Sequence, residues 1–146
     1  MTEPYVYKTI VRFSDTDVYG VVHHSNYFRW IEEARMQLME DILHLTLHDL
    51  QEDEIQFPVI RLEGKYLKAI TARQEVTVKL YLFYNCTTKL VFEYEILNEC
   101  GETAFLGKTE HALTKGNKIL FVMPEIYHNM FLNVMKENEG KYIVTS

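Results

Sequence analysis

Between Asn26 and Leu43 the apolar residues leave almost no side of the chain for water. Tyr27, Trp30, Ile31, Ala34, Leu38 and Ile42 recur at three- and four-residue steps and form one stripe of a helix. Phe28, Met36, Met39 and Leu43 widen that stripe with a second flank. A helix coated in this way has to be covered on more than one side, by a sheet that curls around it or by a sheet and a partner subunit. Ser25 reads as its N-cap.

The rest of the chain supplies strands. Residues 5–13 alternate, with Tyr5, Tyr7, Thr9, Val11 and Phe13 on one face, and the period breaks into a loop over 14–24 with Gly20 as pivot. After a leucine-rich turn at 44–54, strand patterns occupy 57–69, 74–85, 88–98 and 102–115. Val76, Val78, Leu80 and Leu82 share one face, as do Leu90, Phe92, Tyr94 and Ile96. The breaks "TAR", "NCTT" and "NECGE" suit antiparallel hairpins, and "KGNK" makes a last tight turn into "ILFV". Pro124 opens a C-terminal helix with Ile126, Tyr127, Met130, Phe131 and Val134 on one face. This order predicts an α+β fold in a single domain over 1–146, one helix against one antiparallel sheet. The uncovered sheet edges predict a homo-oligomer.

Composition narrows the partners. A net charge of -6 speaks against general attraction to nucleic acid or an anionic membrane. The N-terminus "MTEPYVYKT" lacks an apolar secretory core, and no run approaches the roughly 20 apolar residues of a membrane helix. Cys86 and Cys100 have neither metal nor redox spacing and read as reduced thiols, so a cytoplasmic location is expected.

The chemistry is concentrated in "FSDTDVYGVVHHSNYFRW", residues 13–30. The first N–H groups of a helix have no internal partner, and the helix dipole adds partial positive charge there. His24, Ser25 and Asn26 would present such groups to a carbonyl oxygen gaining charge. Asp17 lies on a loop that Gly20 can fold back over the same helix end. A carboxylate facing a polarised carbonyl can attack the acyl carbon itself or activate a water to do so. A thiolate leaves without a general acid, because thiol pKa is about 8.5. One carboxylate with no evident proton donor therefore suits a thioester better than an ester or an amide.

The string "FSDTDVYGVVHHSNYFRWIEEAR" resembles the N-terminal signature of the 4-hydroxybenzoyl-CoA thioesterase family, including its YbgC-like acyl-CoA thioesterase branch. "FPVIRLEGKYLKAI" and "GKTEHAL" are similar to that family's strand segments, so the resemblance spans most of the chain. It implies the hotdog fold, in which a sheet wraps a long central helix. It also implies hydrolysis of an acyl-CoA, or of a thioester on acyl carrier protein, by a dimer or tetramer that needs no cofactor. By position in the D-x-D-x-x-G-V-V-x-H-x-x-Y pattern, Asp17 corresponds to the catalytic carboxylate, with a backbone N–H near His24 polarising the carbonyl. Gly20, Ser25, Asn26 and Tyr27 complete the expected oxyanion and substrate-binding set. Tyr19, Ser25 and Asn26 depart from the pattern and bear on substrate choice.

Plainer readings stand beside these. Asp15 is expected to hydrogen-bond its own backbone. Glu33 is a reserve carboxylate, with a salt-bridged role as its plainer reading. His111 and Thr109 are expected to stabilise the sheet or line a pocket. Arg61, Lys65, Lys68 and Arg73 face one acid, Glu63, and are candidates for the coenzyme A phosphates, though strand alternation keeps all four from converging in one subunit. A metal site on Asp15, Asp17, His23 and His24 is disfavoured, because adjacent residues of an extended loop point apart. A non-catalytic acyl-CoA-binding protein and a metal-dependent hydrolase are the competing functions.

Overall fold

The computed structural model describes residues 2–145. In it the coated helix, α1 (Ser25–Asp41), packs against a six-stranded sheet. Tyr27, Trp30, Ile31, Ala34, Leu38, Met39 and Leu43 are buried, while Phe28, Met36 and Ile42 are half-buried on the second flank. Each large side chain enclosed in this way contributes about 1.5–3 kcal/mol.

The sheet runs in the order β1 (Tyr5–Ile10), β4 (Glu75–Phe83), β5 (Leu90–Leu97), β6 (Thr103–His111) and β3 (Val59–Tyr66), with every neighbour antiparallel. The inward rows of β4 and β5 are those the alternation gives, and all eight residues are buried. A short β9 (Ile143–Val144) runs parallel to β4 beyond the end of β1. Outside this sheet, α2 (Leu47–Glu52) precedes a small sheet of β2 (Ile55–Gln56), β7 (Thr114–Lys115) and β8 (Lys118–Ile119).

The structure shortens several expected elements for identifiable reasons. The first strand stops at Ile10 because a 3-10 turn at Phe13–Asp15 swings Phe13 into solvent. The strand expected over 57–69 divides around Pro58, which has no N–H for a ladder. Gly116 and Asn117, both at positive φ, make the two-residue hairpin of "KGNK". Of the "ILFV" that follows, only Ile119 is in a strand, and Phe121 and Val122 are exposed. Pro124 occupies the N-cap of α3 (Glu125–Glu137). Tyr127, Phe131 and Val134 are buried there, but Ile126 is exposed, about 100° around the helix from Tyr127.

Two features of β3 matter for the site. Among the described residues it pairs only with β6, and all eight of its residues are exposed, among them Val59, Ile60, Leu62 and Tyr66. Gly64 also faces Gly107 in the ladder, and the ring of Phe105 lies across the pair. A Cβ at Gly64 would stand 2.8 Å from Phe105 Cζ and 3.3 Å from Phe28 Cε1. Replacing Gly64 by Ala is expected to cost about 1–3 kcal/mol in denaturant unfolding. A change within measurement error would mean that these rings move aside freely.

Candidate active site

The loop over residues 14–24 is closed by its own polar groups. Asp15 is buried; its Oδ2 accepts the Arg12 N–H at 2.8 Å and its Oδ1 accepts Arg29 Nη2–H at 2.7 Å, the local structural role expected for it. Its carbonyl accepts from the His23 N–H (2.9 Å) and from Asn26 Nδ2 (2.8 Å), which draws the helix start against the loop. Asp17 is half-buried. Its Oδ1 accepts the Tyr19 N–H at 2.8 Å, its N–H donates to Val21 O, and its carbonyl accepts from Gly20 at φ +78°. The second carboxylate oxygen of Asp17 has no hydrogen-bond partner among the described residues.

The helix start differs from the sequence expectation. Ser25 is the first helical residue rather than the cap, and His24 stands at the N-cap position with no side-chain cap bond. The capping atom is His23 Nδ1, which accepts the Ser25 N–H at 3.2 Å and lies 2.8 Å from Ser25 Oγ. Asn26 N–H donates to His23 O and Tyr27 N–H to His24 O. The amides of Ser25 and Asn26 are therefore engaged. The His24 N–H is the donor of this turn that has no partner among the described residues. The two imidazoles lie side by side, tilted by 33° with centroids 4.1 Å apart, because the backbone is already turning into the helix and extended-chain alternation no longer applies.

Packing fixes this tip in place. Tyr27 is buried against Trp30, Tyr66 and Phe105, and Tyr66 OH donates to His24 O at 2.9 Å. Arg29 joins Asp15 to Glu33 (3.1 Å) and Asn26, and Glu33 also accepts from Tyr7 OH at 3.0 Å. Glu33 thus serves as the salt-bridged tie between α1 and β1. Val18 and Tyr19 beside Asp17 are largely exposed.

The four candidate phosphate ligands are spread out. Arg61 pairs with Glu63 (2.5 Å) and Glu110 (3.6 Å), and Lys68 pairs with Glu102, whose carboxyl it holds below the usual range. Lys65 is exposed on β3. Arg73 sits at the other side of the loop, where its N–H meets Val11 O two residues past the Val21–Thr71 bridge. Among the described residues no group of three or more His, Cys, Asp or Glu could hold a metal ion, and no helix is long and apolar enough to cross a membrane.

A cavity of about 670 Å³ lies elsewhere, lined by Arg35, Met36, Met39, Phe57, Phe92 and His111 among others. Arg35 is ten residues along α1 from Ser25, roughly 15 Å up the helix axis. His111 is buried in the sheet, between Thr109 (2.9 Å) and Phe57 O (2.8 Å), the sheet-stabilising role expected of it, and its ring also lines this cavity. Arg35 and the cavity escaped the sequence reading; the available signal was a cation in the middle of an apolar helix.

Burial lowers the His111 pKa from 6.5 to about 4. The unfolded chain then binds the proton first, so stability falls as pH drops from about 6.5 to about 4, by up to about 3 kcal/mol. An NMR titration should find the His111 ring neutral at pH 5; a ring that protonates near pH 6.5 would contradict this.

Comparison with known proteins points to thioester hydrolysis. The model of the family described as the Thioesterase-like superfamily matches residues 11–133. A putative esterase of Aquifex aeolicus is 28% identical over 134 residues, covering 92% of this chain and 99% of that one. A putative acyl-CoA thioesterase of Bacillus subtilis is 29% identical over 101 residues, covering 69% of this chain and 72% of that one. The solved structure of a DHNA-CoA thioesterase from Staphylococcus aureus superposes with a TM-score of 0.82 at 30% identity, each chain fully covered. The shared architecture, one long helix wrapped by an antiparallel sheet, is the hotdog fold.

Proposed function

The chain belongs to the thioesterase-like superfamily and is a thioester hydrolase, and we propose that it is a single-domain acyl-CoA thioesterase of the branch its loop signature resembles, with Asp17 as catalytic carboxylate. The supporting observation is that one short loop and the helix start it leads into carry two groups without hydrogen-bond partners among the described residues: the second oxygen of Asp17 and the N–H of His24. The N–H, with the helix dipole behind it, receives the carbonyl oxygen as it gains charge. The carboxylate delivers the attacking oxygen, by bonding to the acyl carbon or by taking a proton from a water that does. Either way the C–S bond breaks, the thiolate leaves with the electron pair, and one water is consumed per acid released. Gly20 permits the loop closure, and Tyr27 holds the helix tip. Lys65 and Arg73, which no carboxylate of this chain neutralises among the described residues, are the better candidates for phosphate contacts.

The same reading calls for a second copy of the chain. The exposed β3 edge carries apolar side chains at both ends and invites another strand. Its Tyr66 end holds the helix tip, and its Val59 end lies beside the cavity, since Val59 pairs with His111. A two-fold, antiparallel β3–β3 contact sets the Tyr66 end of one copy against the Val59 end of the other. The Asp17 loop of each copy then faces the cavity of its neighbour.

Asp17→Asn is expected to lower kcat for acyl-CoA hydrolysis by about 10²–10⁴ with an unchanged fold; near-normal thiol release by the folded variant would rule the assignment out. Leu62→Lys on the β3 edge is expected to yield monomers in sedimentation and to lose turnover with them. Fully active monomers would contradict the two-copy site.

A further inference from the structure

A one-directional relay of hydrogen bonds runs through the cavity wall. Phe57 O accepts from His111 Nδ1–H, which leaves Nε2 as an acceptor for the Thr109 hydroxyl proton. Thr109 Oγ1 accepts from the Tyr94 hydroxyl (2.8 Å), and the Tyr94 hydroxyl oxygen, Oη, accepts from Arg35 Nη1–H at 3.2 Å. Each step is satisfied, and no member carries negative charge. Burial, to which the Arg35 charge adds, keeps His111 neutral at physiological pH.

Arg35 is therefore the one charge in the relay, and no ion pair holds it; Glu32, three residues back on α1, is close enough to act on Tyr94 but is exposed and makes no salt bridge with Arg35. None of the ion pairs among the described residues includes it. It is half-buried, and one of its five N–H donors is used. Glu54, a carboxylate on the cavity lining, is exposed and unpaired with it. A guanidinium taken partly out of water without a counter-ion is costly unless something bound supplies one. Coenzyme A phosphates do not fit this place, because Arg35 is the single cation of a wall that also holds the Glu54 carboxylate and is otherwise a mixture of apolar residues with neutral polar ones such as Gln51 and Asn117. An apolar body with a terminal carboxylate fits both the walls and the fork of the guanidinium.

We propose that Arg35 is a specificity-determining residue, selecting acyl groups whose far end carries a carboxylate. The assignment rests on the reading that the cavity receives the acyl group brought by the Asp17 loop of a second copy. Met36, Met39, Phe57 and Phe92 enclose the apolar chain, and Arg35 takes the distal carboxylate through donors that the relay leaves open.

The test separates binding from turnover. Octanoate and octanamide, identical in length, are titrated calorimetrically into the full chain, Arg35→Met and Tyr94→Phe. The unmodified protein should bind the acid about 10–100-fold more tightly than the amide. Arg35→Met should abolish that preference, and Tyr94→Phe, which removes the relay but keeps the cation, should retain it. In parallel, kcat/KM for octanedioyl-CoA over octanoyl-CoA should fall in Arg35→Met while octanoyl-CoA hydrolysis persists. Equal binding of acid and amide, or a preference untouched in folded Arg35→Met, would overturn the proposal. Arg35-dependent acid binding in a protein that hydrolyses no acyl-CoA would support this pocket assignment and sink the thioesterase reading alone.

Discussion

Removing the coat of α1 from water is the constraint on which the remaining structure depends. Trp30, Ile31, Ala34 and Leu38 are sealed by the sheet, and Met39 and Leu43 are enclosed on the second flank. The helix is thus held along its length by packing rather than by its ends. That frees the N-terminal turn from a strong cap. His23 satisfies Ser25, the next amide turns inward, and the His24 N–H remains available at a tip fixed by Tyr66.

The loop is organised by a division of labour between its two aspartates. Asp15 is spent on structure: with Arg29 and Asn26 it joins the 3-10 turn to the first turns of α1. Asp17 gives one oxygen to a local turn and keeps the other. Under the proposed function, a carboxylate held by its own loop and a donor held by a packed helix need no reorganisation to meet a developing oxyanion. The cavity belongs to a different part of the chain, where α1, α2 and β6 meet, and the exposed β3 edge is the element that connects the two regions.

Much of this was legible in the residues, where periodicity dominates. The apolar stripe of α1 and the alternating rows of β4 and β5 are long enough that burial decides them. Short elements were not legible: β9 is two residues, and its pairing with β4 depends on where α3 ends. The structural role of Asp15 follows from aspartate chemistry in turns, but its partner Arg29 lies fourteen positions away, where no local rule looks. The cap was misplaced because Ser25 has the right chemistry and His23 lies closer in space. Arg35 was missed for a similar reason. Its significance lies in lacking an ion-pair partner, and that is visible only when every neighbour has a position.

The central claim is that the helix tip polarises the carbonyl of the scissile thioester. Infrared difference spectroscopy of an isotope-labelled acyl-CoA carbonyl, bound to Asp17→Asn so that the thioester persists, measures this most directly. The account predicts a carbonyl stretch shifted to lower frequency than in water. A bound thioester whose stretch is unshifted, or shifted upward, would contradict it.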